Sequence, residues 1–244
     1  GPSDNDFYFH RDYKTYGDVL YTVCEMTGGD MGMQVIDLSP LPENIPVQYP
    51  TYNQISTSHN LWVDPSGYAF IEHGYGDAIN IVDLSDPLNP VMAGSFGNFA
   101  SNTHDIYTKN GIAYVSNGWS EEFMIYDISD FDNIQPLAAI SEGVNGYAHN
   151  AWLSASGNHL ITTEETVGQT VKIWDIMDLN NISLVGEYLA ENDLMEWANN
   201  NNSRLKIIRP SVVFGYGSNS NMNRLIESIL NGKFLSLTCF CSEK

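Results

Sequence analysis

A segment of about 45 residues written four times over constrains this chain more than any other feature. The plainest copy opens with Ser58-His59-Asn60, runs through Leu61-Trp62-Val63-Asp64 and turns at Pro65-Ser66-Gly67. It returns through Tyr68-Ala69-Phe70-Ile71-Glu72-His73 and closes with Ala78-Ile79-Asn80-Ile81-Val82-Asp83-Leu84-Ser85. The other copies open at Arg11-Asp12, His104-Asp105 and His149-Asn150, and close at Asp37-Leu38-Ser39, Asp127-Ile128-Ser129 and Asp175-Ile176-Met177. From the second residue of each opening pair the steps are 48, 45 and 45 residues, and from the closing Asp they are 46, 44 and 48. Two landmarks that keep one period define a repeat, and this period fits a four-stranded propeller blade.

Each copy divides into four short apolar strands. In the second copy they are expected at about 59–63, 68–73, 78–83 and 91–96, separated by clusters of Pro, Gly, Asn and Asp that supply the backbone angles of reversals. Helical periodicity is absent before about residue 194, so this part reads as all-β. The closing Asp37, Asp83, Asp127 and Asp175 read as turn carboxylates that accept backbone N–H groups. Trp62, Trp152 and Trp174 fall on strands and are expected between blades, Trp119 is expected to pack within its loop, with an exposed sugar-stacking position as the alternative, and Cys24 is expected as a small buried apolar residue.

Several of these stretches, taken together, resemble the LVIVD-repeat β-propellers, in particular the choice-of-anchor B family of bacterial surface proteins. They are Arg11-Asp12-Tyr13-Lys14-Thr15-Tyr16, Gly32-Met33-Gln34-Val35-Ile36-Asp37-Leu38, Ser58-His59-Asn60, Asn80-Ile81-Val82-Asp83-Leu84-Ser85-Asp86-Pro87, Thr103-His104-Asp105 and Ala148-His149-Asn150-Ala151-Trp152-Leu153. The resemblance covers roughly residues 8–193. It implies a β-propeller of four-stranded blades in a secreted or cell-surface setting, within a family whose members generally carry more than four repeats. The four written here make either a small closed ring or part of a larger one.

A different pattern begins near residue 195. Residues 1–194 hold 4 Lys/Arg against 27 Asp/Glu, whereas residues 195–244 hold 6 against 3. After a polar linker at 194–204, Leu205-Lys206-Ile207-Ile208 leads into Arg209-Pro210-Ser211-Val212-Val213-Phe214-Gly215. A helix is expected from about Asn221 to Asn231. This α/β tail resembles a strand–loop–helix fragment of the extended short-chain dehydrogenases, the NAD-dependent epimerase/dehydratase kind. That family's dinucleotide fingerprint and Tyr-x-x-x-Lys are missing from the chain, so residues 205–244 read as a non-functional fragment and no NAD is expected. Residues 1–7, opening Gly1-Pro2-Ser3, read as a tag or linker.

Blade geometry gathers the polar residues. The inner strand opens with the polar pair and the second strand returns beside it, so the start of one and the end of the other meet at one mouth of the channel. That mouth is expected to hold Arg11, Asp12, Glu25, His59, Asn60, Glu72, His104, Asp105, His149, Asn150 and Glu164. Imidazoles and carboxylates converging there can ligate a divalent metal, with His59, His104 and His149 as candidate ligands, or bind a cationic or sugar-like molecule. Equally, each pair can cap its own strand by side-chain hydrogen bonds, which explains the repetition without a ligand.

The expected role is therefore a binding or scaffold module for a protein or carbohydrate. A metal-dependent enzyme built on the His/Glu ring, or a remnant of a sugar-nucleotide epimerase, stands as the alternative. A formal charge of −20 excludes nucleic acid as the expected partner. Apolar runs all fall short of the roughly 20 residues a membrane span needs. Cys24, Cys239 and Cys241 make no disulfide framework, and no signal peptide is visible. No residue of a Ser-His-Asp set sits in a recognisable nucleophile turn.

Overall fold

The computed structural model describes residues 11–25, 32–55, 57–72, 79–97 and 103–188. The chain divides into two units, residues 1–189 and 190–244. The expected tail strand and helix, the dehydrogenase-like segment, His73 and residues 1–7 lie outside the described residues.

Among the described residues, sixteen strands form four antiparallel sheets of four, each a meander in chain order. Blade one is β1 (Arg11–Tyr16), β2 (Val19–Cys24), β3 (Gln34–Asp37) and β4 (Val47–Gln48). Blade two is β5 (Leu61–Asp64), β6 (Tyr68–Ile71), β7 (Ile79–Asp83) and β8 (Val91–Phe96). Blade three is β9 (Asp105–Lys109), β10 (Ile112–Ser116), β11 (Phe123–Asp127) and β12 (Gln135–Ile140). Blade four is β13 (Ala148–Leu153), β14 (His159–Glu164), β15 (Val171–Asp175) and β16 (Ser183–Tyr188). The inner strands stand beside one another in order, β1 by β5, β5 by β9 and β9 by β13. No helix among the described residues is long and apolar enough to cross a membrane.

The repeat is legible in the turns. Asp37, Asp83, Asp127 and Asp175 each accept the backbone N–H two residues on, at 2.7–2.9 Å, and so close the loop after the third strand of every blade. In blades two, three and four the third and fourth strands slip register at the same place, between Ile81/Val82, Ile125/Tyr126 and Ile173/Trp174. A bulge there increases local twist, which lets the outermost strand turn away from its neighbour. Gly67, at φ +92°, completes the Pro65-Ser66-Gly67 turn, and a Cβ there would stand 2.9 Å from the Tyr16 hydroxyl.

Among the described residues, two apolar cores hold the blades. One joins blade one to blade two through Val19, Tyr21, Val35, Leu61, Ile71 and Val82. The other spans blades two to four through Trp62, Phe70, Ile81, Phe123, Leu160 and Trp174. Each such side chain taken out of water contributes about 1.5–3 kcal/mol. Trp62 and Trp174 are buried as expected, and Trp152 is half-buried with its ring edge-on to Trp62 at 5.6 Å. The Trp62 indole N–H donates to Thr108 Oγ1 across the blade boundary at 2.8 Å.

Two expectations need correction. Cys24 is half-buried rather than buried, because it ends β2 on the face that blade two does not cover. Trp119 is 71% exposed rather than packed in its loop. The loop carrying it is tied to blade four by paired backbone bonds between Gly118 and Ala148, which leaves the indole resting edge-on against Tyr147.

Candidate functional site

The opening pairs divide their labour. Their second members form a belt of hydrogen bonds that laces the inner strands together. Asp12 accepts the Leu61 backbone N–H of the next blade at 3.1 Å. Asp105 accepts Asn60 Nδ2 from blade two at 2.7 Å, Asn150 Nδ2 from blade four, and its neighbour Ile106 N–H at 2.8 Å. Lys14, which the sequence reading did not single out, pairs with Asp12. Replacing Asn60 with alanine removes one donor from a buried carboxylate. The expected cost is about 1.5–3 kcal/mol in urea unfolding, and a loss below a few tenths would show the belt to be dispensable.

The first members face one another instead. The His59 and His104 rings lie 4.5 Å apart and those of His104 and His149 4.4 Å apart, so three blades contribute a row of imidazoles. His59 Nδ1 is 2.8 Å from Glu25 Oε1, which reaches across from blade one. His104 Nδ1 donates to the His149 carbonyl at 2.9 Å, since a carbonyl oxygen can only accept. His149 Nε2 is 3.6 Å from Glu165 Oε2. Tyr147 packs edge-on against His104, with ring centres 5.0 Å apart.

Ten of the eleven expected site residues are described at side-chain level. The side chain of Arg11 lies outside the described residues. Glu164 does not reach the mouth. Its carboxylate pairs with the buried Lys172 ammonium and accepts the Asn145 backbone N–H at 2.7 Å. The cause is a bulge in β13: Ala148 pairs with Glu164, but the next pair is Asn150 with Thr163, so His149 is the extra residue. Glu165 therefore takes the place beside the histidine that the spacing gave to Glu164. Among the described residues, the set of donors suited to a metal is His104, His149 and Glu165, whose ligand atoms all lie within 4.8 Å of one another. His59, the third sequence candidate, is engaged with Glu25.

The mouth is strongly acidic. Glu72 is fully buried, and neither carboxylate oxygen has a hydrogen-bond partner. Burial, then the charges of Asp105, Glu25 and Asp12, push its pKa well above the usual carboxylate range. The Asn60 backbone N–H opposes that shift without reaching hydrogen-bond geometry. Burial likewise pushes Asp105 up to about 7, against the relief given by Ile106 N–H, Lys14 and Asn150. Tyr147 is pushed up to about 12 by burial and by the nearby carboxylates of Glu72, Glu165 and Glu25. Burial lowers the pKa of His149, Glu165 raises it and His59 lowers it further. A buried carboxylate without donors beside a row of imidazoles suits a cation, whether a metal ion or an organic ammonium group.

The fold is a β-propeller, and solved propellers share it. A candidate 6-phosphogluconolactonase from Bacteroides uniformis is similar at 12% identity with a TM-score of 0.58, over 73% of this chain and 53% of that one. The periplasmic gluconolactonase of Pseudomonas aeruginosa is similar at 13% identity with a TM-score of 0.54, over 70% of this chain and 54% of that one. A functionally unknown protein from Desulfotomaculum acetoxidans matches at 16% identity and a TM-score of 0.53, over 76% of this chain and 57% of that one. The chain thus spans about half the length of the solved structures it matches. No family model matches it, and no curated protein does.

Proposed function

We propose that this chain is a binding module of the LVIVD-repeat kind, working in a secreted or cell-surface setting, whose ligand seats at the histidine-lined mouth of the propeller. One observation carries the reading: Glu72 is buried with both carboxylate oxygens lacking a partner, within electrostatic reach of Glu25, which pairs with His59, and of Tyr147, which packs on His104. The belt of Asp12, Asn60, Asp105 and Asn150 joins the inner strands by side-chain bonds, while the histidine rings stand beside one another in a row across three blades. Exposed Trp119 beside Tyr147 adds an aromatic wall of the sort that stacks on a sugar ring or an ammonium group.

The test is calorimetric titration and thermal shift of the whole chain against simple saccharides, organic amines and divalent cations. At least one class is expected to stabilise the native protein. Substituting His59, His104 and His149 together by alanine is expected to abolish that effect while circular dichroism stays native. Stabilisation by none of the three classes, or loss of the fold in the triple variant, would return the histidines to a structural role.

Metal-dependent catalysis at the same mouth is the second reading, favoured by the grouping of His104, His149 and Glu165. The lactonase names among the similar structures support it at the level of fold alone.

A further inference from the structure

We propose that His104, His149 and Glu165 hold one late first-row divalent ion, of the zinc or copper(II) class, as a clasp between blades three and four. The inference rests on the reading of the mouth as a ligand site and names what sits in part of it.

The three donors come from separate elements. His104 immediately precedes β9, His149 is the bulged residue of β13, and Glu165 follows β14. All three ligand atoms lie within 4.8 Å of one another, and His149 Nε2 to Glu165 Oε2 is already 3.6 Å. Zinc–nitrogen bonds of about 2.0–2.1 Å in a tetrahedron set neighbouring donors roughly 3.4 Å apart. The widest pair must therefore close by about 1.4 Å at most, a shift that falls to the two more exposed side chains. Those are Glu165, 68% exposed, and His149, 39% exposed. His104 is the anchor, buried and oriented by its Nδ1–H bond to the His149 carbonyl, so that the neutral ring carries its lone pair on Nε2. A backbone carbonyl bonded to the far nitrogen is the usual orienting contact of a ligating histidine.

Two imidazoles and one carboxylate select zinc or copper over calcium or magnesium, which prefer all-oxygen shells. Three protein ligands leave one coordination position for water or a ligand group, on a site walled by Tyr147.

The experiment strips the full chain of metal with a chelator and titrates it with zinc by calorimetry and with cobalt(II) by visible absorption. A Cys239→Ser/Cys241→Ser background removes the tail thiols as competing ligands. One equivalent is expected to bind, with cobalt d–d bands of four-coordinate intensity and no competition from calcium. Glu165→Gln, at an exposed position that spares the fold, is expected to weaken zinc at least about tenfold, and His149→Ala to weaken it further. Unchanged zinc affinity in both variants, absence of zinc and cobalt binding, or equal competition by calcium would overturn the clasp. If zinc and cobalt fail while a saccharide or amine still binds, the clasp falls and the binding reading stands. If no class binds, both fall.

Discussion

Replacing Glu164 with alanine is expected to destabilise the protein by about 3–5 kcal/mol, because it strands a buried ammonium without its counter-charge. The Lys172 side chain is 2% exposed and that of Glu164 is fully buried. Of the surrounding carboxylates, Glu187 stands 3.8 Å from the ammonium and is 47% exposed, too distant and too well hydrated to replace Glu164. The change also frees the Asn145 backbone N–H, which Glu164 now accepts at 2.7 Å. Removing both charges gives the opposite expectation: Glu164→Leu with Lys172→Met should lie within about 1–2 kcal/mol of the parent, since a buried pair gains little over a well-packed apolar one. Urea unfolding followed by tryptophan emission measures both. A single variant that loses less than the double would mean that water already reaches the ammonium.

The second large effect is on pH dependence. Asp105 titrates at about 7 in the folded protein and at about 3.9 in an unfolded chain. Through that window the folded state keeps a proton that the unfolded state has released, so stability falls as pH rises from about 4 to 7. The loss from Asp105 is on the order of 4 kcal/mol, and Glu72, raised well above its usual value, adds to it in the same direction. His149 acts oppositely. Its lowered pKa costs stability as pH falls through the ordinary histidine range, and that contribution fades above about pH 7. Glu72→Gln removes one carboxylate without changing shape, so its stabilisation over the parent should grow steadily between pH 5 and 8. Melting temperatures at a series of pH values read this directly. A variant whose advantage is constant with pH would show Glu72 to be normally ionised and solvated.

Much of the fold is legible in the sequence because the repeat states it four times. Alternating apolar strands and the closing Asp residues appear where the period puts them, and the Asp side chains bond as turn residues do. The limits of the reading are local. A strand expected at 59–63 is Leu61–Asp64, with His59 and Asn60 just ahead of it and bonded to other blades through their side chains. Glu164 was expected at the mouth because its spacing from His149 resembles the spacing in the other copies. A single bulged residue reverses which of two adjacent glutamates faces the channel, and period-two reasoning has no access to that. Glu25 pairs with His59 of the following blade, a contact set by the approach of β1 to β5 and not by either repeat alone. Trp119 and Tyr147 carried no signal beyond their type, because their meeting depends on a bridge between Gly118 of a loop and Ala148 at the start of β13.

Blade two belongs to both cores. Leu61, Ala69, Ile71 and Val82 serve the core shared with blade one, while Trp62, Phe70, Ile79 and Ile81 serve the one that reaches blade four. Adjacent positions on one strand thus answer to different neighbours: Phe70 must suit one blade and Ile71 another. Whoever recombines blades from such repeats to build a new ring is held to the same rule. An end blade can be exchanged by matching one face, whereas this one transplants intact only if the residues flanking it on both sides travel with it.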